Sequence, residues 1–361
     1  GTRTAETENS MKIDHRTRFL DTEERREATR QFTIDAGHRA FHLLLDKIYT
    51  DKPLAVVREA AQNAYDAHLQ IGNKAPFFVS LPTDLNPLLV VKDFGPGMSE
   101  EFMLHGYTRV THSTKNDTNT SVGGLGIGRL SMLAICDTYT VESITGEVKR
   151  LYTVYLNEER IPSITMMDEI SVPGEHSGVT VRIPIAKDLV YPINVAAMRA
   201  LRDFPRNSVT VINGKHVPTE YHIRTELFGL RKEHEVDHYN YRTSRSIRVI
   251  MGPMAYFVDT SLVRALEGYD GYADFFKEVQ HLDLFVGIGD VDVHPSREGL
   301  DYSRHSQRKL KAFFDTVYPQ IKAHTNQFVS SHKTLLEQAL ASSILYSHKL
   351  RAFSDNSCTI E

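Results

Sequence analysis

Leu54-Ala-Val-Val-Arg-Glu-Ala-Ala-Gln-Asn-Ala-Tyr-Asp-Ala67 is the stretch on which the reading of this chain turns. Strong helix formers fill it, and Pro53 stands where a first-turn proline is tolerated. Leu54, Val57, Ala61 and Ala64 make one apolar stripe, and Glu59, Asn63 and Asp66 recur at i, i+4 and i+7 on a second one. A carboxylate and an amide one turn apart are suited to a water and a magnesium ion, which takes oxygen ligands and keeps several waters. A polar stripe alone is more often a solvated face, so its meaning depends on the segments downstream of it.

Three later segments supply that context. Leu88-Leu-Val-Val-Lys92 reads as a strand ending in Asp93-Phe-Gly-Pro-Gly97. Gly95 and Gly97 allow positive φ and close approach to the backbone, and Pro96 stiffens the turn ahead of Met98. A carboxylate held at Asp93 can accept from an exocyclic amino group, which selects adenine over guanine. Residues 108–122 are rich in Ser, Thr and Asn and read as a mobile lid. The lid ends in Gly123, Gly124, Leu125, Gly126, Ile127 and Gly128, after which residues 129–136 read as helical. Glycine amides opening a helix make a phosphate cradle. A Rossmann reading of the run fails, because it follows a polar loop rather than a buried strand, and no G-x-x-x-x-G-K-[ST] occurs. Ser177-Gly-Val-Thr180 then opens another strand.

Taken in order, Glu-x-x-x-Asn-x-x-Asp-Ala (59–67), Asp-x-Gly-x-Gly (93–97), the glycine run (123–128) and Ser-Gly-x-Thr (177–180) resemble the four nucleotide-binding motifs of the GHKL ATPases. That superfamily includes gyrase, the heat-shock-90 chaperones, histidine kinases and MutL. Val291-Asp-Val-His-Pro-Ser-Arg-Glu-Gly-Leu300 is similar to a loop of the heat-shock-90 and MutL transducer domains, whose basic residue reaches the γ-phosphate. Within the superfamily the motifs look most like the phage rapid-lysis rIIA family, over roughly residues 30–310. Lys92, and Arg129-Leu where that branch has other residues, depart from its pattern.

The resemblance implies Mg2+ and ATP as ligands. Glu59 is expected as general base and Arg297 as the cation on the γ-phosphate. Asn63 supplies oxygen to the metal, and Asp66 belongs to the same site. Asp93, with Gly95, Gly97 and Met98, holds adenine, and Thr180 shares that network through water. The amides of residues 123–128 meet the phosphates. The expected behaviour is a nucleotide-driven switch or clamp, with an ATP-dependent homodimer latched by residues 11–35. A binding module with little turnover, and a topoisomerase- or MutL-like DNA clamp, are the alternatives. A protein partner, nucleic acid and the membrane surface all stay open as targets.

Patterning divides the chain into an N-terminal extension (1–29), an α+β two-layer sandwich (30–190), an α/β domain (191–305) and a helical C-terminal segment (306–361), and the resemblance implies that the sandwich is an ATP-binding domain of the Bergerat type and the α/β domain transducer-like. Residues 75–92, 138–143, 148–156 and 178–185 read as extended, and residues 36–49, 195–204, 272–279 and most of 307–347 as helical. Strands are expected to end near Ile212 and Met251, and another over 284–293 leads into the Ser-Arg-Glu loop. Residues 1–10 are polar, low in structure signals and read as vector-derived, with Met11 the expected start.

The chain has 361 residues, room for two cores, and its 42 Lys+Arg against 46 Asp+Glu do not advertise nucleic-acid binding. Its two cysteines, Cys136 and Cys358, exclude a disulfide framework, and no apolar run has bilayer-crossing length. A cytoplasmic location, that of the host if phage-encoded, is expected. Of 17 histidines, the pairs His38/His42 and His234/His238 have a metal-compatible spacing but no H-E-x-x-H or cysteine cluster beside them, and read as packing or surface groups. His294 is expected to shape its loop.

Overall fold

Asp51 starts the first helix, α1 (Lys52–Gln70), because its Oδ1 accepts from the Leu54 amide at 3.1 Å while Pro53 fills a first-turn position that needs no donor. The helix ends at Ile71, just before Gly72 in the left-handed region. The computed structural model describes residues 49–107, 128–232, 247–259, 272, 275, 279–294 and 296–347. All of them lie within residues 38–361, which form one unit. The expected helix over 36–49, the lid and glycine run over 108–127, both metal-spaced histidine pairs, and most of 272–279 fall outside the described residues.

Val56, Val57, Ala60, Ala61 and Ala64 face a seven-stranded sheet and are buried against it. Burial of each valine stabilises by about 1.5–3 kcal/mol. The strands are β1 (Phe77–Ser80), β2 (Leu88–Lys92), β3 (Thr138–Thr145), β4 (Val148–Leu156), β5 (Pro162–Ser171), β6 (Gly178–Pro184) and, after helix α2 (Val190–Leu201), β7 (Val209–Ile212). Their order is β5-β4-β3-β6-β2-β1-β7, antiparallel except for the β1–β7 pair. In β2 the side chains alternate, with Leu89 and Val91 buried, so the strand delivers Asp93 to its end on a fixed register. The boundary expected near residue 190 falls at the start of α2, and the first sheet continues beyond it. Ile193, Ala196, Ala197 and Ala200 are buried in the same core as α1, and β7 completes the sheet.

A second, five-stranded sheet contains β8 (Tyr221–Arg224), β9 (Phe228–Arg231), β10 (Arg248–Met251), β11 (Met254–Phe257) and β12 (Leu282–Val286), in the order β11-β10-β12-β9-β8. Helix α3 (Arg304–Ser330) buries Leu310, Phe314, Val317, Ile321 and Val329 in the second core, and α4 (Leu335–Ser347) adds Ala341 and Leu345. The strand expected over 284–293 stops at Val286. Asp290 then closes a turn on Gly287, and Val293 and Leu300 form an isolated bridge that pinches the base of the Ser-Arg-Glu loop.

Ion pairs join the two sheets. Arg248 makes paired contacts with Asp283 of β12 and with Asp203, just beyond α2, at 2.8–2.9 Å. Arg231 also binds Asp283, and Tyr221 Oη donates to it at 2.8 Å. Asp283 is fully buried, yet the guanidiniums of Arg231 and Arg248 outweigh desolvation and hold its carboxyl down at about 2. The strand that leads to the Ser-Arg-Glu loop is therefore tied to the first layer by charges that cannot be unpaired cheaply.

Candidate active site

Glu59 projects from the second turn of α1 and is 4% exposed. A buried carboxylate needs a partner, and Arg297 supplies it: Nη1 donates to Glu59 Oε2 at 2.9 Å. Arg297 has φ +55°, a conformation uncommon for a residue with a side chain, and its amide donates to the His294 carbonyl at 2.7 Å. The third member is Gly128, the last residue of the glycine run. A Cβ there would stand 1.9 Å from Glu59 Oε2, so only glycine admits the carboxylate at this point. Glu59 of α1, the end of the glycine run and the Ser-Arg-Glu loop thus converge on one oxygen atom.

The loop grips α1 a second time. Glu298 accepts from the amides of Thr50 and Asp51 at 2.8 and 2.9 Å and from the Thr50 hydroxyl at 2.8 Å. Arg58 adds a bond to the Ala255 carbonyl at 3.2 Å and lies over the Tyr256 ring. Burial first, and the Glu59 charge second, push the Tyr49 hydroxyl well above its ordinary value.

At the far end of α1, Asp93 is 6% exposed. Its Oδ1 accepts from the amides of Gly95 at 2.8 Å and Val179 at 3.2 Å, which leaves Oδ2 for an incoming donor. Desolvation raises the carboxyl to about 6, and the two amides oppose that rise. Thr180 is buried next to it, in register opposite Lys92. Gly97 takes φ +74°, and a Cβ there would lie 2.1 Å from the Ile144 carbonyl oxygen. Met98 is fixed by its amide to Ser143 Oγ at 2.7 Å and by its carbonyl, which accepts from Ser143 and Thr145. A carboxylate acceptor at the end of a buried strand, its turn packed tightly through Gly95 and Gly97, suits a donor such as the amino edge of adenine.

Residues 52–170 match the family described as histidine kinase-, DNA gyrase B- and HSP90-like ATPases. The match covers about a third of the chain. No curated protein matches the chain by sequence. Among solved structures, the ATPase region of Saccharomyces cerevisiae topoisomerase II is similar at 12% identity and a TM-score of 0.47, over 74% of this chain and 85% of that one.

Within the matched segment the polar stripe of α1 is not uniform. Glu59 is buried, Asp66 is half-buried and accepts from Gln62 Nε2 at 2.7 Å, and Asn63 is exposed, its amide open to a ligand from solvent. An exposed amide oxygen one turn from a carboxylate suits a hydrated magnesium ion, whose chemistry would be charge neutralisation on the phosphates. Among the described residues no group of three or more His, Cys, Asp or Glu side chains is placed to hold a metal. The segment expected to be helical after the run is a 3-10 helix, Gly128 to Ala134, with Ser131 Oγ donating to the Gly128 carbonyl at 2.7 Å. Arg129 binds the Gly106 carbonyl at 2.8 Å and stacks on Phe102 and Tyr107.

His68 joins the site without having stood out in the sequence. Its Nε2 accepts from the Phe94 amide at 2.8 Å, which places the proton on Nδ1, facing the Ala75 carbonyl at 2.9 Å. Burial lowers its basicity, which favours the neutral ring that this geometry requires. It clips the Asp93 elbow to the last turn of α1. The only sequence signal is an apolar-face histidine nine positions after Glu59, indistinguishable from a packing residue. No helix among the described residues is long and apolar enough to cross a membrane.

Proposed function

We propose that the chain binds ATP at Asp93 and hydrolyses it by water attack, with Glu59 as general base. The observation that carries this reading is the meeting of Glu59, Arg297 and Gly128 at Glu59 Oε2. A binding module with no turnover has no need of a buried carboxylate there. Asp93 Oδ2 receives the adenine amino group, with Thr180 sharing the network through water. The amides of residues 123–128 cradle the phosphates, and Asn63 and Asp66 serve the magnesium side. Magnesium, when bound, neutralises charge on the phosphates.

Water attack needs a free carboxylate on Glu59 and a cation on the γ-phosphate. With Arg297 on Glu59, neither condition is met. ATP offers Arg297 a better partner, so the γ-phosphate draws the guanidinium off Glu59 and frees the base. Nucleotide state is then coupled to the loop and to the second sheet behind it, which makes the chain a switch as well as a catalyst. We extend this to an rIIA-like role and a homodimer formed on ATP. The charged segment 11–35, which lacks an apolar stripe of its own, is the proposed latch. Sedimentation with a non-hydrolysable ATP analogue tests the last point: full chain dimeric and a chain starting at Ala36 monomeric is expected, and a full chain monomeric at tens of micromolar contradicts it (roughly the range a modest interface needs).

The test of nucleotide binding is titration with ATP and GTP, on the parent and on Asp93→Asn. Preference for ATP that Asp93→Asn removes is expected; equal affinity for both nucleotides, or no effect of the substitution, contradicts the assignment.

A further inference from the structure

Arg297 and Glu298 are adjacent, carry opposite charges and reach the same helix at separate places. Arg297 goes to Glu59 inside the second turn, and Glu298 goes to the amides of Thr50 and Asp51 ahead of the first. The two anchor points are eight to nine residues apart, roughly 12 Å along a helix. The left-handed conformation at Arg297 is what sends consecutive side chains to both.

The Glu298 contact is dense for a loop side chain. Three donors converge on its two oxygens, the Thr50 amide reaching both, at 2.8 to 3.0 Å. It sits at the positive end of α1, where a carboxylate is favoured by the helix dipole. Asp51 is itself held by Arg199 of α2 at 2.9 Å, so the amides that Glu298 reads belong to the first layer and do not travel with the loop. The side chain of Glu298 bonds to backbone amides and a threonine hydroxyl, and to no group assigned to the chemistry.

We propose that Glu298 is a positioning residue, the fixed point about which Arg297 exchanges Glu59 for the γ-phosphate. The proposal rests on Arg297 being the residue that meets the γ-phosphate. With Glu298 seated, a change of side-chain rotamer at Arg297 suffices for the exchange. Without it, the loop is free to lift from α1 and Arg297 loses both partners together. Glu298 thereby sets how strongly ATP is preferred over ADP, while contributing nothing to adenine.

The experiment is measurement of ATP and ADP affinity and of steady-state phosphate release. It uses the full chain and the variants Glu298→Ala, Glu298→Asp, Thr50→Val, Arg297→Ala and the Arg297→Ala/Glu298→Ala pair. Glu298→Ala is expected to reduce the ATP-over-ADP preference about as far as Arg297→Ala does, with ADP affinity held, and the double variant to be no worse than either single one. Glu298→Asp, one methylene short of the amides, and Thr50→Val, one donor fewer, are expected to fall between parent and Glu298→Ala. A preference unchanged in Glu298→Ala, beside one lost in Arg297→Ala, overturns the pivot and leaves Arg297 standing. Additive losses, or ATP and ADP weakened in proportion, also overturn it, since they mark a residue that only holds the fold. If Arg297→Ala itself leaves the preference intact, the γ-phosphate role of Arg297 fails and the pivot fails with it.

Discussion

Arg297 Nη1 lies 2.9 Å from Glu59 Oε2, across 238 positions of sequence. The cation expected on a γ-phosphate and the base expected to activate water neutralise each other in this arrangement. Both are largely withdrawn from solvent, with side-chain exposures of 13% and 5%. Removing one partner from such a pair costs more than the pair contributes, because the other is left buried and charged.

Arg297→Ala tests the cation. A charge-assisted bond of this kind is worth about 1.5–3 kcal/mol. Loss of roughly 10- to 100-fold in ATP affinity is therefore expected, with ADP affinity nearly unchanged. Calorimetric titration with ATP analogue and ADP gives the ratio. Equal losses for both nucleotides would show that Arg297 supports the fold and does not read the third phosphate.

The Asp93 carboxyl predicts opposed pH trends for binding and stability. Its folded value is raised to about 6, by desolvation, from an ordinary 3.8. The folded chain holds the proton more tightly than the unfolded chain, so this group's contribution to stability is complete below about 4 and is lost as pH rises through about 6. Adenine binding requires the anion, so nucleotide affinity falls as pH drops through the same value. His68, whose basicity is lowered by burial, pulls stability the other way: its share is present above its ordinary value near 6.5 and fades as pH falls. Asp93→Asn removes the first trend and keeps the second. The melting-temperature difference, parent minus Asp93→Asn, is expected to be larger at pH 4.5 than at pH 7.5, and a difference that does not vary with pH contradicts the assignment.

His68→Ala tests the clip. It leaves the Phe94 amide without its acceptor, at a cost of about 1–3 kcal/mol for a buried donor. The elbow loosens, so affinity for all adenine nucleotides should fall together while the ATP-to-ADP ratio stays. An unchanged affinity would mean that the bonds of Gly95 and Val179 to Asp93 hold the elbow alone.

The nucleotide half of the fold is legible in sequence because its signals are local. The α1 stripe, the strand ending at Asp93, and Val148–Leu156 follow from periodicity and turn chemistry. β5 is not legible: its residues are mostly exposed and do not alternate, and it is a strand because β4 pairs with it along its length. The strand expected over 284–293 is too long because Gly287 and Asp290 make a turn, the Asp290 amide donating to the Gly287 carbonyl at 3.1 Å and the Gly287 amide to Asp290 Oδ2 at 2.9 Å. At the site, Glu59, Asp93 and Arg297 can be named from motif order, but their burial cannot. Nor can the grip of Glu298 on Thr50, which depends on two segments nearly 250 positions apart meeting at a helix end. Residues 123–127 are read from glycine content and lie outside the described residues, so the cradle remains a proposal.

Glu59→Ala is the most direct test of hydrolysis at this site, with phosphate release and ATP binding measured on the same preparation. Loss of a general base typically lowers turnover ~100- to 10,000-fold and need not affect binding. The predicted result is ATP bound and turnover gone. ATP bound and hydrolysed at the parent rate would contradict it, and would remove Glu59 from the chemistry.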